Sequence, residues 1–242
     1  MFKFLEFIVG ISDSTLAKIT STVLLQLNNR IPQNIHWPSD MEFKNLLTKE
    51  HFALEELNNI VCIVDDTRFR ISRPSQNDVQ REFFNGKTRT HNLLVLFVVT
   101  LDGIPIFHSK AFEGRQNDQY AWNESGLRAR FEHKEYGIIG DDMFSFNRVI
   151  DSVKIIGINP TRNSEPRGQY DQKNPPRSKQ VGRVRVRIEH YFARLKQWKI
   201  LRHAFRQHFL MRENQIDFDC VLSTVVRLNQ LTREHSPLLG MQ

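Results

Sequence analysis

Asp65, Asp141 and Glu189 are the residues of this chain whose type and setting could do chemistry. Asp65 closes Val61-Cys62-Ile63-Val64, and Asp141 closes Tyr136-Gly137-Ile138-Ile139-Gly140. Glu189 stands within Val184-Arg185-Val186-Arg187-Ile188-Glu189-His190-Tyr191-Phe192. Each puts a carboxylate where an apolar element leaves the core. Three carboxylates brought together repel one another unless divalent cations lie between them, and oxygen donors of this kind suit Mg²⁺ or Mn²⁺. Two such ions flanked by acids are the layout of a phosphoryl-transfer site. Singly, each acid has a plainer explanation. A lone Asp-Asp can end a strand or cap a turn, and a Glu four residues after Arg185 can form a helix-surface ion pair of little worth. The repetition matters more: Asp65-Asp66 and Asp141-Asp142 both end buried runs, and side by side in one sheet their charges conflict unless a cation binds.

The elements that must position these acids follow from pattern. Ile60 to Val64 is a continuous apolar run, as in a strand buried on both faces. Leu93–Thr100 and Ile104–Ser109 read as strands joined across Asp102-Gly103, a strong hairpin signal. Asp118–Arg130 reads as a helix, Tyr136–Ile139 as a fourth strand and Ile155–Ile158, before Pro160, as a fifth. Asn163–Gln180 is rich in Pro, Arg, Asn, Ser and Lys and reads as a loop. Arg183–Ile188 alternates like a strand. Over a longer window Val184, Ile188, Tyr191, Phe192, Leu195 and Trp198 keep helical spacing, which predicts a helix from about Arg183 to His203. At the start, Gly10-Ile11-Ser12 is a turn, after which Asp13 or Ser14 caps a helix with Leu16, Ile19, Val23 and Leu27 on one face. Only nine residues precede Gly10, so a helix–turn–helix module is expected to be truncated here. A turn at Trp37-Pro38-Ser39 then leads into a short helix between Phe43 and Leu57.

Charge and composition narrow the function classes. From Arg177 to Arg212 the chain holds eleven Lys and Arg and one acid, Glu189, so that a stretch of +10 sits in a chain of +7 overall. The alternative is a solvated helix face, but a basic run flanking a lone glutamate suits a polyanion whose phosphates release counterions when neutralised. Arg183, Arg185, Arg187, Lys196, Lys199 and Arg202 are the expected DNA contacts. Lys87, Arg89 and His91 read rather as a solvated loop. No apolar run approaches the roughly 20 residues of a membrane span, so no membrane partner is expected. The first nine residues carry Glu6 and no small-residue cleavage pattern, which speaks against a signal peptide. Cys62 and Cys220 lack zinc-finger spacing and read as reduced, buried thiols. HExxH, GxSxG and a phosphate-binding glycine loop are all missing. A basic RNA-binding scaffold is disfavoured because aromatic-rich single-strand motifs are missing as well.

With these residues in view, the chain resembles the Harbinger/PIF-type DDE transposases, the group described as DDE superfamily endonucleases. The likeness starts at Gly10-Ile11-Ser12-Asp13-Ser14-Thr15 and Trp37-Pro38. It continues through Val64-Asp65-Asp66-Thr67, Phe84-Asn85-Gly86-Lys87 with His91, Gly114-Arg115-Gln116-Asn117-Asp118 and Gly140-Asp141. The most specific piece is Arg187-Ile188-Glu189-His190-Tyr191-Phe192-Ala193-Arg194-Leu195-Lys196, similar to the family's Arg-x-Val-Glu-x-x-Phe-Gly-x-Leu-Lys.

The resemblance implies an α/β fold: an RNase H-like mixed five-stranded sheet flanked by helices, with a small N-terminal helical segment. It divides the chain into a truncated helix–turn–helix remnant with helical lead-in (1–58), the nuclease domain (59–232) and a tail (233–242). It places the catalytic, metal-binding triad on Asp65, Asp141 and Glu189, and Asp118 matches a further recurrent acid. Two Mg²⁺ or Mn²⁺ ions are the implied cofactors, and DNA cleavage with strand transfer is the implied activity. DNA is the implied partner, with room for a homodimer and for a separate DNA-binding protein that supplies target recognition. The compartment would be the nucleus in a eukaryote and otherwise the cytoplasm. Three departures are visible: Asp66 for the family's glycine, Asp142-Met143-Phe144 for a pattern ending Gly-Tyr, and Ala193 for glycine. They keep alive a catalytically inactive, domesticated remnant that binds DNA or a protein partner.

Overall fold

A computed structural model of the chain describes residues 10–47, 60–131, 137–141, 156–158, 175–205 and 217–235. Its helices are α1 (Asp13–Arg30), α2 (Asp40–Leu47), α3 (Asn77–Phe83), α4 (Asp118–Glu124), α5 (Leu127–Phe131), α6 (Pro175–Leu195), α7 (Lys199–Arg202) and α8 (Phe218–His235). Two long strands form the centre. β1 (Ile60–Arg70) runs antiparallel to β3 (Thr90–Thr100), from Cys62↔Thr100 to Arg70↔Asn92. β3 reads Leu93 to Val99 without a polar break, and all of that run is buried, as a strand covered on both faces requires. On its other side β1 pairs in parallel with β6 (Gly137–Asp141), which pairs in parallel with β7 (Ile156–Ile158). The outer edge of β3 carries three short strands in succession: β2 (Phe84–Asn85), β5 (Phe112–Glu113) and β4 (Pro105–His108). The sheet is thus mixed, and among the described residues it has seven strands rather than the five expected. The surplus arises because that edge is broken into pieces, with a register shift at Val98/Val99.

Pleating divides the core in two. Ile63 and Phe69 of β1 join Val95, Phe97, Val99 and Ile139 under α6 and α8. Ile188, Tyr191 and Leu195 of α6, with Phe218, Leu222 and Val226 of α8, close this side. Cys62 and Val64 join Leu94, Leu96, Val98 and Ile138 on the opposite face, under Phe43 of α2, Trp122 of α4 and Leu127 and Phe131 of α5. A bulge between Ile60 and Cys62 sets this alternation. No helix among the described residues is long and apolar enough to cross a membrane.

Several elements differ from their sequence reading. β1 continues six residues past Val64, because Thr67 and Phe69 keep the buried alternation through a charged stretch. The helix expected over Asp118–Arg130 breaks at Ser125-Gly126, where Gly126 takes φ +71°. α6 starts at Pro175, inside the expected loop, since proline has no donor to lose in a first helical turn. It stops at Leu195, and the expected continuation to His203 is the separate α7. α2 starts at Asp40, behind a capping box in which Ser39 and Glu42 exchange hydrogen bonds. α1 is capped by Ser12, whose Oγ accepts from Thr15 N at 3.3 Å, and not by Asp13 or Ser14. Its expected apolar face is turned outward: Ile19, Val23 and Leu27 are exposed. α1 instead meets α8 through Leu24 and through Asn28, which bonds Thr224 and Arg227. α8 itself was not among the elements read from the sequence.

Gly114, between β5 and α4, fixes how the Asp118 loop approaches β1. A Cβ at this position would collide with the backbone oxygens of Asn92 and Phe83 and with Asn92 Oδ1. Backbone on two sides cannot give way cheaply. Gly114→Ala is expected to destabilise the fold by about 2 kcal/mol or more, in the range of overpacked cores, read as a lower urea midpoint at unchanged slope.

Candidate active site

β1 and β6 bring two of the acids to neighbouring strand ends. Their parallel register sets Cys62 against Ile138 and Ile63 against Ile139. Asp65 lies two residues beyond Ile63 and Asp141 two beyond Ile139, so the two positions stand side by side at the carboxyl ends of the strands. Period-two alternation puts both positions on the face covered by α6. The side chain of Asp141, and all of Asp142, lie outside the described residues.

α6 lays a row of charge over this end of β1. Arg185 Nη2 stands 4.0 Å from Asp65 Oδ2, both side chains being mostly buried. Glu189 follows Arg185 by one helical turn and Lys196 extends the same row. Lys196 Nζ sits 5.7 Å from the centre of the Phe69 ring. Burial lowers the Lys196 pKa, and the nearby Asp66 carboxyl opposes that shift. The two cations that bracket Glu189 therefore both reach the acidic stretch of β1, while Glu189 itself is exposed. Among the described residues, no three His, Cys, Asp or Glu side chains stand together as a metal-holding group.

The next residue of β1 enters a different environment. Asp66 pairs in register with Leu96, on the face opposite α6. There it meets Arg68 and Asp118: Arg68 Nε lies 4.0 Å from Asp66 Oδ2, and Nη2 lies 3.9 Å from Asp118 Oδ1. Arg68 also donates to the backbone oxygens of Gly114, at 2.7 Å, and Gln116, at 3.1 Å. It thus ties the Gly114–Asp118 loop to β1. Desolvation first, then the charges of Asp118 and Asp65, push the Asp66 pKa up to about 8. A hydrogen bond to Asp118 favours the same protonated form. Near neutrality the Asp66 carboxyl is therefore mostly protonated. Asp66 thus adds little negative charge to this end of β1 near neutrality. Arg68 was not singled out from the sequence. Its signal was its spacing, two residues after Asp66, which becomes readable once β1 is extended past Val64.

The basic residues of this region do not act alike. Arg185 turns to Asp65 and Lys196 to Phe69. Arg187 is partly buried, its Cβ lying where a side chain on Gly103 would meet it at 3.7 Å. Lys199 and Arg202 are exposed, and the Arg183 side chain lies outside the described residues.

Residues 64–224 match the family described as DDE superfamily endonuclease. The chain belongs to this family. The matched span opens one residue before Asp65 and contains Asp118, Asp141 and Glu189. The chain is 25% identical over 139 residues to the candidate nuclease HARBI1 of Xenopus laevis, covering 56% of this chain and 39% of that protein. It is 29% identical over 175 residues to a candidate transposase for insertion sequence element IS702 of Microchaete diplosiphon, covering 69% of this chain and 58% of that protein. The chain thus spans less than two thirds of the length of either relative. No solved structure matches it.

The raised Asp66 carboxyl gives the stability of the chain a pH dependence. A raised carboxyl binds more protons folded than unfolded between its two pKa values. Its contribution to stability is present below about pH 4 and is lost as pH rises through about 8. With divalent ions chelated, the native chain should lose stability between pH 5 and pH 8.5. Asp66→Asn should remove most of that slope. Parallel denaturation profiles for the two proteins would show that Asp66 ionises normally.

Proposed function

We propose that the chain is the metal-dependent DNA endonuclease and strand-transfer domain of a DDE transposase or a protein derived from one. Asp65, Asp141 and Glu189 would be its catalytic carboxylates, on an RNase H-like fold. The carrying observation is the parallel register that sets the Asp65 and Asp141 positions side by side, beneath the helix row that holds Glu189. Family membership supports a nuclease in general. The donor set fits the implied ions: carboxylates of two adjacent strands and one helix are the oxygen ligands that Mg²⁺ and Mn²⁺ take. The closeness of a guanidinium to Asp65 Oδ2 marks a place where positive charge is favourable.

In this reading Asp65, Asp141 and Glu189 would hold two divalent ions. When bound, the ions supply activation of the attacking hydroxyl or water and stabilisation of the leaving oxygen. The chain's own groups do the rest. Asp65 is oriented by Arg185 and by the Asp66 backbone N–H, which donates to its Oδ1 at 2.9 Å. Arg68 keeps Asp66 and Asp118 on the far face, out of competition for the same cations. Exposed Lys199 and Arg202 offer phosphate contacts, which position DNA without reading its sequence. Target choice would come from the N-terminal segment or from a separate DNA-binding protein, and the protein would work in the compartment that holds DNA, the nucleus in a eukaryote. The second reading, an inactive remnant that keeps DNA or partner binding, draws on the same ion pair, because Arg185 can supply permanently the positive charge that Asp65 needs.

Cleavage separates the two. Supercoiled plasmid should be nicked with Mn²⁺ or Mg²⁺ and left intact with Ca²⁺ or chelator, since the looser Ca²⁺ shell misplaces the reacting oxygens. Asp141→Asn and Glu189→Gln should each lose on the order of a hundredfold or more in rate, as when transition-state charge loses its stabiliser, while DNA binding persists. Undiminished cleavage by Glu189→Gln would contradict the triad. No cleavage by the native chain under any divalent ion would favour the remnant.

A further inference from the structure

α6 has two flanks, and the acidic site uses one. Arg194 follows Arg185 by nine residues, which at about 100° per residue is half-way round the helix. It therefore lies on the side opposite the Arg185–Glu189–Lys196 row. There, between the end of α6, α7 and α8, is an open cavity of about 480 Å³. Arg194 and Lys199 line one wall, and Arg233, Asn229 and Thr232 of α8 line the other. Trp198, half-buried at the start of α7, adds a flat aromatic surface. No carboxylate is among its described lining residues.

The cationic lining is built in. Arg233 donates both Nη groups to the β3–β4 hairpin, at 2.9 Å to Gly103 O and 2.9 Å to Asp102 O, so its head is fixed in place. Burial, and then the like charges of Arg194 and Arg187, disfavour the Arg233 cation, and Asp102 only partly offsets them. Arg194 Nε is buried and has no hydrogen-bond partner among the described residues. Three cations around one cavity repel one another until an anion joins them. A buried donor without an acceptor is costly until it finds one. A cavity of this volume exceeds what a phosphate group alone would fill, leaving room beside the indole for the rest of a nucleotide.

We propose that this cavity is a nucleotide-phosphate site, with Arg194, Lys199 and Arg233 taking the phosphate and Trp198 the organic remainder. In the nuclease reading, on which this choice of ligand rests, the nucleotide belongs to a DNA strand held on the flank of α6 away from the acids. A free nucleotide offers the same chemistry.

Binding can be measured without metal, in chelator, by anisotropy with a labelled single-stranded 12-mer and by tryptophan quenching with dAMP. The test variant is Arg194→Gln/Lys199→Gln, which spares the Arg233 bonds to the hairpin. The control is Arg70→Gln/Arg73→Gln, two exposed residues outside the cavity that remove the same charge. The test variant should weaken oligonucleotide binding at least about tenfold, as expected for lost charge-assisted bonds, and the control much less. An effect on both ligands assigns the site to nucleotides in general, and an effect on the 12-mer alone assigns it to a strand. Equal binding of both ligands by test and control variants overturns the proposal, even where plasmid cleavage succeeds. A contrast that persists in a chain unable to cleave leaves the cavity standing and removes the nuclease reading. Unchanged unfolding midpoints check that the variants are folded.

Discussion

β1 carries two successive carboxylates out of a fully buried core, and the pleat of a strand allows them no common side. Asp65 goes to the α6 face and meets Arg185. Asp66 goes to the α4 face and meets Arg68 and Asp118. The rest of the site follows from this division. Because β6 is parallel to β1 and in register through Ile63↔Ile139, the strand end that matches Asp65 is Asp141. Because Ile188, Tyr191 and Leu195 seat α6 on the same face, the neighbouring row of that helix comes over Asp65. A register slip of one residue would exchange Asp65 for Asp66 and join the helix row to the wrong acid.

Electrostatics on the two faces differ in kind. On the α6 face the mostly buried Asp65 stands against Arg185, and Glu189, the next acid of the row, is exposed, where water and counterions screen it. On the α4 face, Asp66 and Asp118 are mostly buried with one guanidinium, and two carboxylates facing one cation resolve the imbalance by keeping a proton. Arg68 serves two purposes there, because its donors also tie down the Gly114 and Gln116 carbonyls. Asp66 thus becomes part of the loop anchorage, away from the face on which Asp65 and Asp141 stand.

Much of this was legible from residue order, and the unreadable parts have physical causes. Unbroken apolar runs marked β3 and the first half of β1, since a strand covered on both faces leaves no room for polar residues. The second half of β1 was hidden because Asp65, Asp66, Arg68 and Arg70 are charged, and its burial survives only at Thr67 and Phe69. Helical spacing identified the core stripe of α6, but not its start, where prolines look like loop. In α1 the apolar spacing marks a helix but does not tell which side of it is covered. Asn28 and its bonds to α8 decide the orientation and leave Ile19, Val23 and Leu27 outside. Asp65, Asp141 and Glu189 are the candidates that position and resemblance single out in the sequence. Arg185, Arg68 and Lys196 gained their meaning only when strands and helix were brought together.

The measurement that bears most directly on this account is a crystal structure of the chain with Mn²⁺, in which anomalous scattering locates the metal without reference to activity. Mn²⁺ peaks are expected on the α6 face, with Asp65, Asp141 and Glu189 as ligands and Arg185 displaced from Asp65. Peaks between Asp66 and Asp118, on the far face of β1, would contradict this assignment.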